Sequence, residues 1–181
     1  MKTLNIIILS MGFLSQTSHA GENQHIIGAD LTYGSLDINF KQVATDLGDE
    51  SGFDIYYRYM LNPFIGVEGG WTSAEGSIGS FLISQVSDVK DVSYSGPNAK
   101  IVFQYPIIAD SFVYTKLGVN YYNVDYTFNK NEFDESHIGY EASIGLGTRF
   151  DFGLGFNLGY RYLDNKLVSS NQVVLGANFA F

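Results

Sequence analysis

The chain has 181 residues and a formal net charge of −9, with 45% hydrophobic, 15% aromatic and only 16% charged residues. This composition excludes a disordered chain, and the acidic balance argues against nucleic-acid binding, which usually shows a basic face. The absence of cysteine excludes disulfides, thiol catalysis and cysteine-ligated metals. The many Tyr, Phe and Gly residues suit a β-protein, and no apolar stretch approaches the roughly 18 residues of a transmembrane helix.

The first twenty residues have the pattern of a secretory signal peptide. Lys2 gives a positive start, residues 4–14 form an apolar core, and Ser18-His19-Ala20 places small residues at the −3 and −1 positions. The apolar core is too short to span a bilayer, although it could alternatively form a buried N-terminal strand. We therefore expect residues 1–20 to be a cleaved signal peptide and residues 21–181 to form a single mature domain.

Period-two alternation of apolar and polar residues, the signal of a strand, then recurs eight times. The predicted strands are residues 27–34, 53–61, 65–72, 98–105, 113–121, 138–150, 154–162 and 172–181. Short turns at 62–63, 106–111 and 151–153 alternate with long polar segments at 35–51, 73–92, 125–137 and 164–170, which together carry a net charge of −8. Short and long connections must then lie at opposite ends, which predicts an all-β, eight-stranded, antiparallel up-and-down transmembrane β-barrel.

The polar faces of the predicted strands carry charges of both signs, whereas the apolar faces carry none. The nine charged residues are Asp30, Asp54, Arg58, Glu68, Lys100, Lys116, Glu141, Arg149 and Arg161. In a secreted β-sandwich the apolar face would be the core, and this alternative explains the alternation equally well. The mixed charges and the many glycines on the polar face favour a barrel whose apolar face meets lipid and whose charges line the lumen.

Aromatic residues collect at both ends of the apolar faces, as expected for interfacial girdles. The predicted girdle contains Tyr33, Trp71, Tyr121, Tyr160 and Tyr162 toward the long segments, and Tyr105 and Phe150 toward the turns.

These features together resemble those of the small OmpA-like and OmpX/Ail-like outer-membrane barrels. The resemblance covers the leader, the eight strands, the charged faces, the GVEGGW strand at 66–71 and the C-terminal Asn178-Phe179-Ala180-Phe181. It implies a monomer in the outer membrane of a Gram-negative bacterium, in contact with outer-membrane lipid and lipopolysaccharide. It also implies that Phe179 and Phe181 form the C-terminal assembly signal read by the barrel-assembly machinery.

An eight-stranded barrel is only wide enough for side chains to fill its interior, and unpaired buried charges are costly. We therefore predict an ion-paired network that plugs the lumen, with Arg58, Arg149 and Arg161 as its hubs because arginine binds carboxylates bidentately. The predicted function is a structural or surface-interaction role, with an unknown extracellular ligand bound through the four long segments. The alternatives are a narrow pore or small-solute conduit and, less favoured, a lipid-modifying enzyme.

Histidine is scarce after the leader, where only His25 and His137 remain. A catalytic triad of Ser136, His137 and either Glu135 or Asp134 is conceivable, but neighbouring residues on a strand point to opposite faces. The acidic residues of 132–135 could bind a divalent cation together with lipopolysaccharide phosphates, although no EF-hand spacing supports this. We predict no catalytic residues, no metal and no cofactor.

Overall fold

The computed structural model describes residues 25–40, 43–76, 89–108, 110–128 and 131–181, which form eight antiparallel strands. The strands are β1 (His25–Phe40), β2 (Val43–Met60), β3 (Ile65–Gly76), β4 (Val89–Ile108), β5 (Ser111–Phe128), β6 (Asn131–Arg149), β7 (Leu154–Asp164) and β8 (Val168–Ala180). Each strand pairs with its neighbours in sequence, and β8 pairs with β1 to close the barrel. The predicted fold class is confirmed. The predicted signal peptide lies outside the described residues.

No helix among the described residues is long and apolar enough to cross a membrane.

Both ends of the described chain meet where the short turns lie, which we call the turn end. The amide of His25 donates to the carbonyl of Phe181 (3.1 Å), and the amide of Phe181 donates to the carbonyl of His25 (2.8 Å). These bonds extend the β1–β8 ladder to the last residue. The opposite end, where the long predicted segments lie, is called the hairpin end below.

The strands extend beyond their predicted limits at the hairpin end. β1 and β2 stay paired as far as Phe40 and Val43, and β5 and β6 as far as Phe128 and Asn131. The prediction that 35–51 and 125–137 are loops was therefore wrong over most of their length. The sequence still alternates apolar and polar residues there, as in 36–40 (Leu-Asp-Ile-Asn-Phe) and 124–128 (Val-Asp-Tyr-Thr-Phe). The apolar residues now take the even positions, which are the inward series lower on both strands, so the pattern no longer matches that of the outer wall.

The outward side chains of the strands form an apolar surface, called the outer wall, that is exposed around the whole barrel. Leu117 is 51% exposed and Leu175 is 58% exposed. All seven residues of the predicted girdle lie on this wall, and even the least exposed, Tyr162, is 36% accessible. Soluble monomers rarely expose contiguous apolar patches larger than a few hundred Å². The wall therefore suits lipid, and its aromatic side chains do not pack in a sandwich core.

A ring of polar residues, the polar collar, ends the outer wall at the hairpin end. Each strand contributes one outward residue, and the ring consists of Ser35, Ser51, Ser73, Ser95, Asn123, Ser136, Asp164 and Asn171. Several face each other directly across the ladder, for example Ser73 with Ser95 and Asn123 with Ser136. The collar marks the boundary between the lipid-facing wall and water on this side.

The inward side chains form three layers along the barrel axis. At the turn end lies a small apolar cluster of Ile26, Tyr56, Met60 and Ala180. A charged layer fills the middle. At the hairpin end lies the upper apolar cluster, formed by Leu36, Ala74, Val92, Tyr94, Tyr122, Val124, Tyr126, Leu163 and Val168.

Inward glycines make this packing possible. A Cβ on Gly28 would lie 2.3 Å from the ring of Tyr56, and a Cβ on Gly159 would lie 2.3 Å from the hydroxyl of Tyr114. Both distances are far below contact, so the large inward tyrosines need glycine on the neighbouring strands.

Candidate functional site: the charged lumen and the surface extension

The carboxylate of Glu68, fully buried on β3, is the centre of the charged layer. Arg58 on the adjacent β2 donates to its Oε2 from Nε (2.9 Å) and from Nη2 (2.6 Å). The Nζ atoms of Lys116 and Lys100 lie 3.0 Å and 3.7 Å from its Oε1. Three cations thus surround one carboxylate, although the sequence suggested arginine hubs.

A second part of the charged layer is organised around Arg161 on β7. Its Nη1 lies 2.5 Å from Asp54 Oδ2 and 3.8 Å from Glu141 Oε2, and its Nε donates to Gln172 Oε1 at 2.5 Å. Lys100 Nζ lies 3.3 Å from Glu141 Oε1 and therefore connects this part to Glu68.

Asp30 on β1 completes the connection across the lumen. Its Oδ2 lies 3.7 Å from Lys116 Nζ on β5, and its Oδ1 accepts a hydrogen bond of 3.0 Å from Asn157. Eight of the nine charged residues proposed from the sequence therefore lie in one connected set, called the lumen network: Asp30, Asp54, Arg58, Glu68, Lys100, Lys116, Glu141 and Arg161.

Arg149, the ninth residue, occupies a different environment. Its guanidinium carbon lies 5.4 Å from the centroid of the Phe112 ring, and the residue is half-buried at the turn end. Cation–π packing of this kind is common for arginine. That Arg149 is a hub of the lumen network stays a prediction.

Glu50 is an inward acid that the sequence reading placed in a loop. It is fully buried above the collar, outside the membrane-facing part of β2, and accepts hydrogen bonds from Ser170 Oγ and Gln172 Nε2. Alternate residues of β2 point inward, so Glu50 continues the series of Gly52 and Asp54. Extending this alternation beyond residue 52 would have identified Glu50 as an inward residue.

Burial raises the pKa of the Glu50 carboxyl, against the opposing effects of its hydrogen bonds and of Arg161. A carboxyl group whose pKa is higher in the folded than in the unfolded state stabilises the fold at any pH below its unfolded pKa. This stabilisation is lost as the pH rises through the folded-state pKa. Glu50→Gln should therefore make the barrel more stable than the parent at neutral pH and leave it equal at acidic pH. Urea unfolding of the micelle-bound protein across this range measures the difference.

The exposed residue Glu75 provides the control for this prediction. Glu75→Gln removes the same charge from an exposed position and so separates the effect of burial from that of losing a charge. A Glu50→Gln variant that is less stable than the parent at neutral pH would contradict the assignment.

The charged layer is hydrogen-bonded to the upper apolar cluster. Thr72 Oγ1 accepts hydrogen bonds from Asn98 Nδ2 (2.9 Å) and from the hydroxyl of Tyr122 (3.0 Å). The ring of Tyr122 in turn lies 5.3 Å from that of Tyr94. Ionic and apolar side chains thus fill successive levels of the interior, which is an arrangement suited to closing a lumen.

Above the collar, β4, β5 and β6 continue as a three-stranded sheet, which we call the surface extension: residues 89–94, 124–128 and 131–135. β6 pairs with β7 only between Tyr140 and Arg149. On the side away from β5, residues 131–139 of β6 are therefore paired with no described strand. Such an edge presents free backbone donors and acceptors.

The candidate triad is not assembled around Ser136. Ser136 Oγ lies on the outside of β6 and donates to Asn123 Oδ1 (2.8 Å), whereas His137 Nε2 lies 3.2 Å from Glu135 Oε2. Ser136 and His137 therefore lie on opposite faces, as the alternation predicted. Within the described part of the chain, no group of three or more His, Cys, Asp or Glu residues could hold a metal ion.

A closed barrel with a lipid-facing wall, two aromatic ends and an ionic interior defines a transmembrane protein of the Gram-negative outer membrane. The family model described as "Outer membrane protein beta-barrel domain" matches residues 6–181, and the chain belongs to this family. A comparison with curated proteins found no match.

Several solved barrels have the same fold at low sequence identity. Ail of Yersinia pestis is 19% identical, with a TM-score of 0.61 over 88% of this chain and 99% of that one. Neisserial surface protein A is 14% identical, with a TM-score of 0.65 over 87% and 97%. OprG of Pseudomonas aeruginosa is 15% identical, with a TM-score of 0.59 over 89% and 97%. At these identities the similarity shows the fold alone.

Proposed function

We propose that the mature chain is a closed-lumen outer-membrane barrel that acts in surface interaction through its hairpin end. The observation that carries this proposal is the surface extension, which projects beyond the collar with an unpaired β6 edge. The lumen network and the upper apolar cluster support a structural role for the interior, as a plug, over the pore alternative.

The route to the membrane belongs to the same proposal. Residues 1–20 direct secretion and are removed. Phe179 on β8 and Phe181 directly after it, both exposed, serve the barrel-assembly machinery during insertion. The mature barrel is a monomer in contact with outer-membrane lipid and lipopolysaccharide.

The charge of the hairpin end selects the chemistry of the partner. Exposed acids lie above the collar on two pairs of neighbouring strands, β2–β3 and β5–β6: Asp49, Glu75, Asp125 and Asp134. Asp125 and Asp134 lie directly opposite each other on β5 and β6, and like charges in this position repel unless a cation lies near. The partner that fits the free edge is an extended, basic polypeptide segment, since added strands bind by main-chain hydrogen bonds.

The acidic surface argues against polyanionic ligands for this chain. Ail has been solved in complex with the heparin analogue sucrose octasulfate, and that chain is 19% identical to this one. The exposed acids here would repel a sulfated ligand.

The test measures binding of polylysine and of heparin to the folded protein in lipid vesicles at low salt. Polylysine should bind and heparin should not, because the described acids dominate the hairpin end. Asp125→Asn together with Asp134→Asn should weaken polylysine binding several-fold by removing the charge beside the β6 edge.

A matched pair of substitutions away from that edge is the control. Asp49→Asn together with Glu75→Gln neutralises two exposed acids on β2 and β3 and should weaken polylysine binding clearly less than the β5–β6 pair of substitutions does, because these acids lie away from the β6 edge. An equal loss in both variants, or binding of heparin by the parent, would overturn the proposed surface.

A further inference from the structure

Three side chains at the base of the surface extension bring metal-binding atoms together. Tyr126 on β5 and Glu135 on β6 belong to the extension, and His137 lies just below it on β6. The hydroxyl of Tyr126 donates to Glu135 Oε1 (3.2 Å), and His137 Nε2 lies 3.2 Å from Glu135 Oε2. A phenol, a carboxylate and an imidazole therefore meet around one carboxylate group.

The pairing of β5 and β6 explains why these groups meet. Residues two apart on a strand point to the same face, so Glu135 and His137 share the inner face of β6. Tyr126 lies directly opposite Phe133, and the two rings stack with their centroids 5.4 Å apart. This stacking holds the phenol beside Glu135. The sequence predicted no metal, since the tyrosine joins the other two residues only through strand pairing.

The spacing of the donor atoms suits a single small ion. Protein nitrogen and oxygen ligands lie roughly 2.0–2.2 Å from an ion of the size of Zn²⁺. Two such ligands at roughly 90–110° about the ion are then roughly 2.8–3.6 Å apart. Both contacts of Glu135 are 3.2 Å, which is within this interval. An ion at the carboxylate therefore meets Tyr126 beside one oxygen and His137 beside the other.

The site is open to water and lies in acidic surroundings. The side chain of His137 is 27% exposed and that of Glu135 is 46% exposed, whereas Tyr126 is buried in the upper apolar cluster. An ion thus reaches the carboxylate and the imidazole directly from solvent. Asp125 and Asp134, on the outer face of the same two strands, add a negative potential that attracts cations.

The mixture of donors selects the class of ion. Imidazole suits Zn, Cu, Fe and Ni, whereas Mg and Ca prefer oxygen ligands alone, and a mixed nitrogen and oxygen set favours Cu(II) or Ni(II). Of the divalent first-row ions, Cu(II) binds such sites most tightly.

We propose that Tyr126, Glu135 and His137 form a Cu(II) site at the base of the surface extension. Glu135 supplies an ionised carboxylate and His137 a neutral imidazole nitrogen. Tyr126 binds as a phenolate, and its proton passes to solvent as the ion binds. Because the donors come from two strands, the ion links β5 to β6 above the outer wall.

Titration of the folded, micelle-bound protein with Cu(II), followed by electron paramagnetic resonance and visible absorption, tests the site. The parent should bind one ion with a tetragonal spectrum, nitrogen coupling from a single imidazole and a phenolate-to-copper charge-transfer band. Glu135→Gln and His137→Ala should each weaken binding by at least roughly tenfold. Tyr126→Phe should abolish the charge-transfer band. The heat-dependent shift in gel mobility checks that each variant is folded.

Asp134→Asn and His25→Ala are the matched controls. Asp134 adjoins Glu135 on the opposite face, so its substitution should weaken binding far less than Glu135→Gln does. His25 lies at the turn end beside Tyr57, and its removal should leave the affinity and the spectra unchanged. Absence of saturable binding or of the phenolate band in the parent, an intact copper spectrum in His137→Ala, or equal losses in Asp134→Asn and Glu135→Gln would overturn the proposal.

Discussion

Replacing Glu68 with alanine should destabilise the barrel by about 3–5 kcal/mol, the usual cost of removing one partner from a buried ion pair. The substitution leaves Arg58, Lys100 and Lys116 facing one another in a space closed to solvent. Urea unfolding in detergent micelles, followed by the loss of the heat-modifiable folded band, measures the change.

Glu75→Ala is the matched control, because Glu75 lies on the same strand but is exposed above the collar. Surface substitutions away from such networks usually change stability by no more than about 0.5 kcal/mol. Equal effects of the two substitutions would mean that the lumen network contributes nothing specific to stability.

The same Glu68→Ala variant should remain closed to ions in planar bilayers. The upper apolar cluster lies above the network, with Leu36 and Tyr122 fully buried, and it seals the interior independently. Conductance steps should appear only when Glu68→Ala is combined with Leu36→Ala and Tyr122→Ala. Steps in the single variant would show that the ion pairs alone close the lumen.

Placing arginine at Leu117, in the middle of the outer wall on β5, should cost about 2–4 kcal/mol in a bilayer. Leu117 is 51% exposed, so the arginine has room and meets no clash within the barrel. The expected loss therefore comes from moving a charge into hydrocarbon. Unfolding equilibria of the protein folded into lipid vesicles measure it.

Asn123 is the control on the same strand, because it points outward at the polar collar. Asn123→Arg should cost only about 0–1 kcal/mol, since the penalty falls near the interface. Equal costs at 117 and 123 would mean that the wall does not face a membrane of the expected depth.

The strand count and the outward face were predictable because lipid imposes alternation on every membrane-facing residue. Ile55, Tyr57 and Tyr59 must all point outward, so the alternation is visible in the sequence before the strand pairing is known. The ends of the strands were not predictable in the same way. Above the collar the apolar residues of β5 change from the odd to the even positions, where Val124 and Tyr126 are buried, and this change of parity hides the continuation of the ladder.

The lumen residues were predictable only as a set. Parity places Asp30 and Lys116 inside, but they lie on β1 and β5 and meet across the barrel, a contact that depends on strand tilt and register. Glu50 was missed because the inward series was read only as far as Asp54. Arg149 has the correct parity and lies over the ring of Phe112, a contact that parity alone does not predict.

The outer wall of a membrane barrel must contact lipid along its whole apolar length. A spin label placed in turn at Val113, Thr115, Leu117, Val119, Tyr121 and Asn123 of the bilayer-folded protein reports its collisions with oxygen and with a water-soluble nickel chelate. Oxygen collisions should be highest at Leu117, and chelate collisions should rise only toward Asn123. A folded protein that is soluble without detergent, with these positions closed to both reagents, would contradict the account.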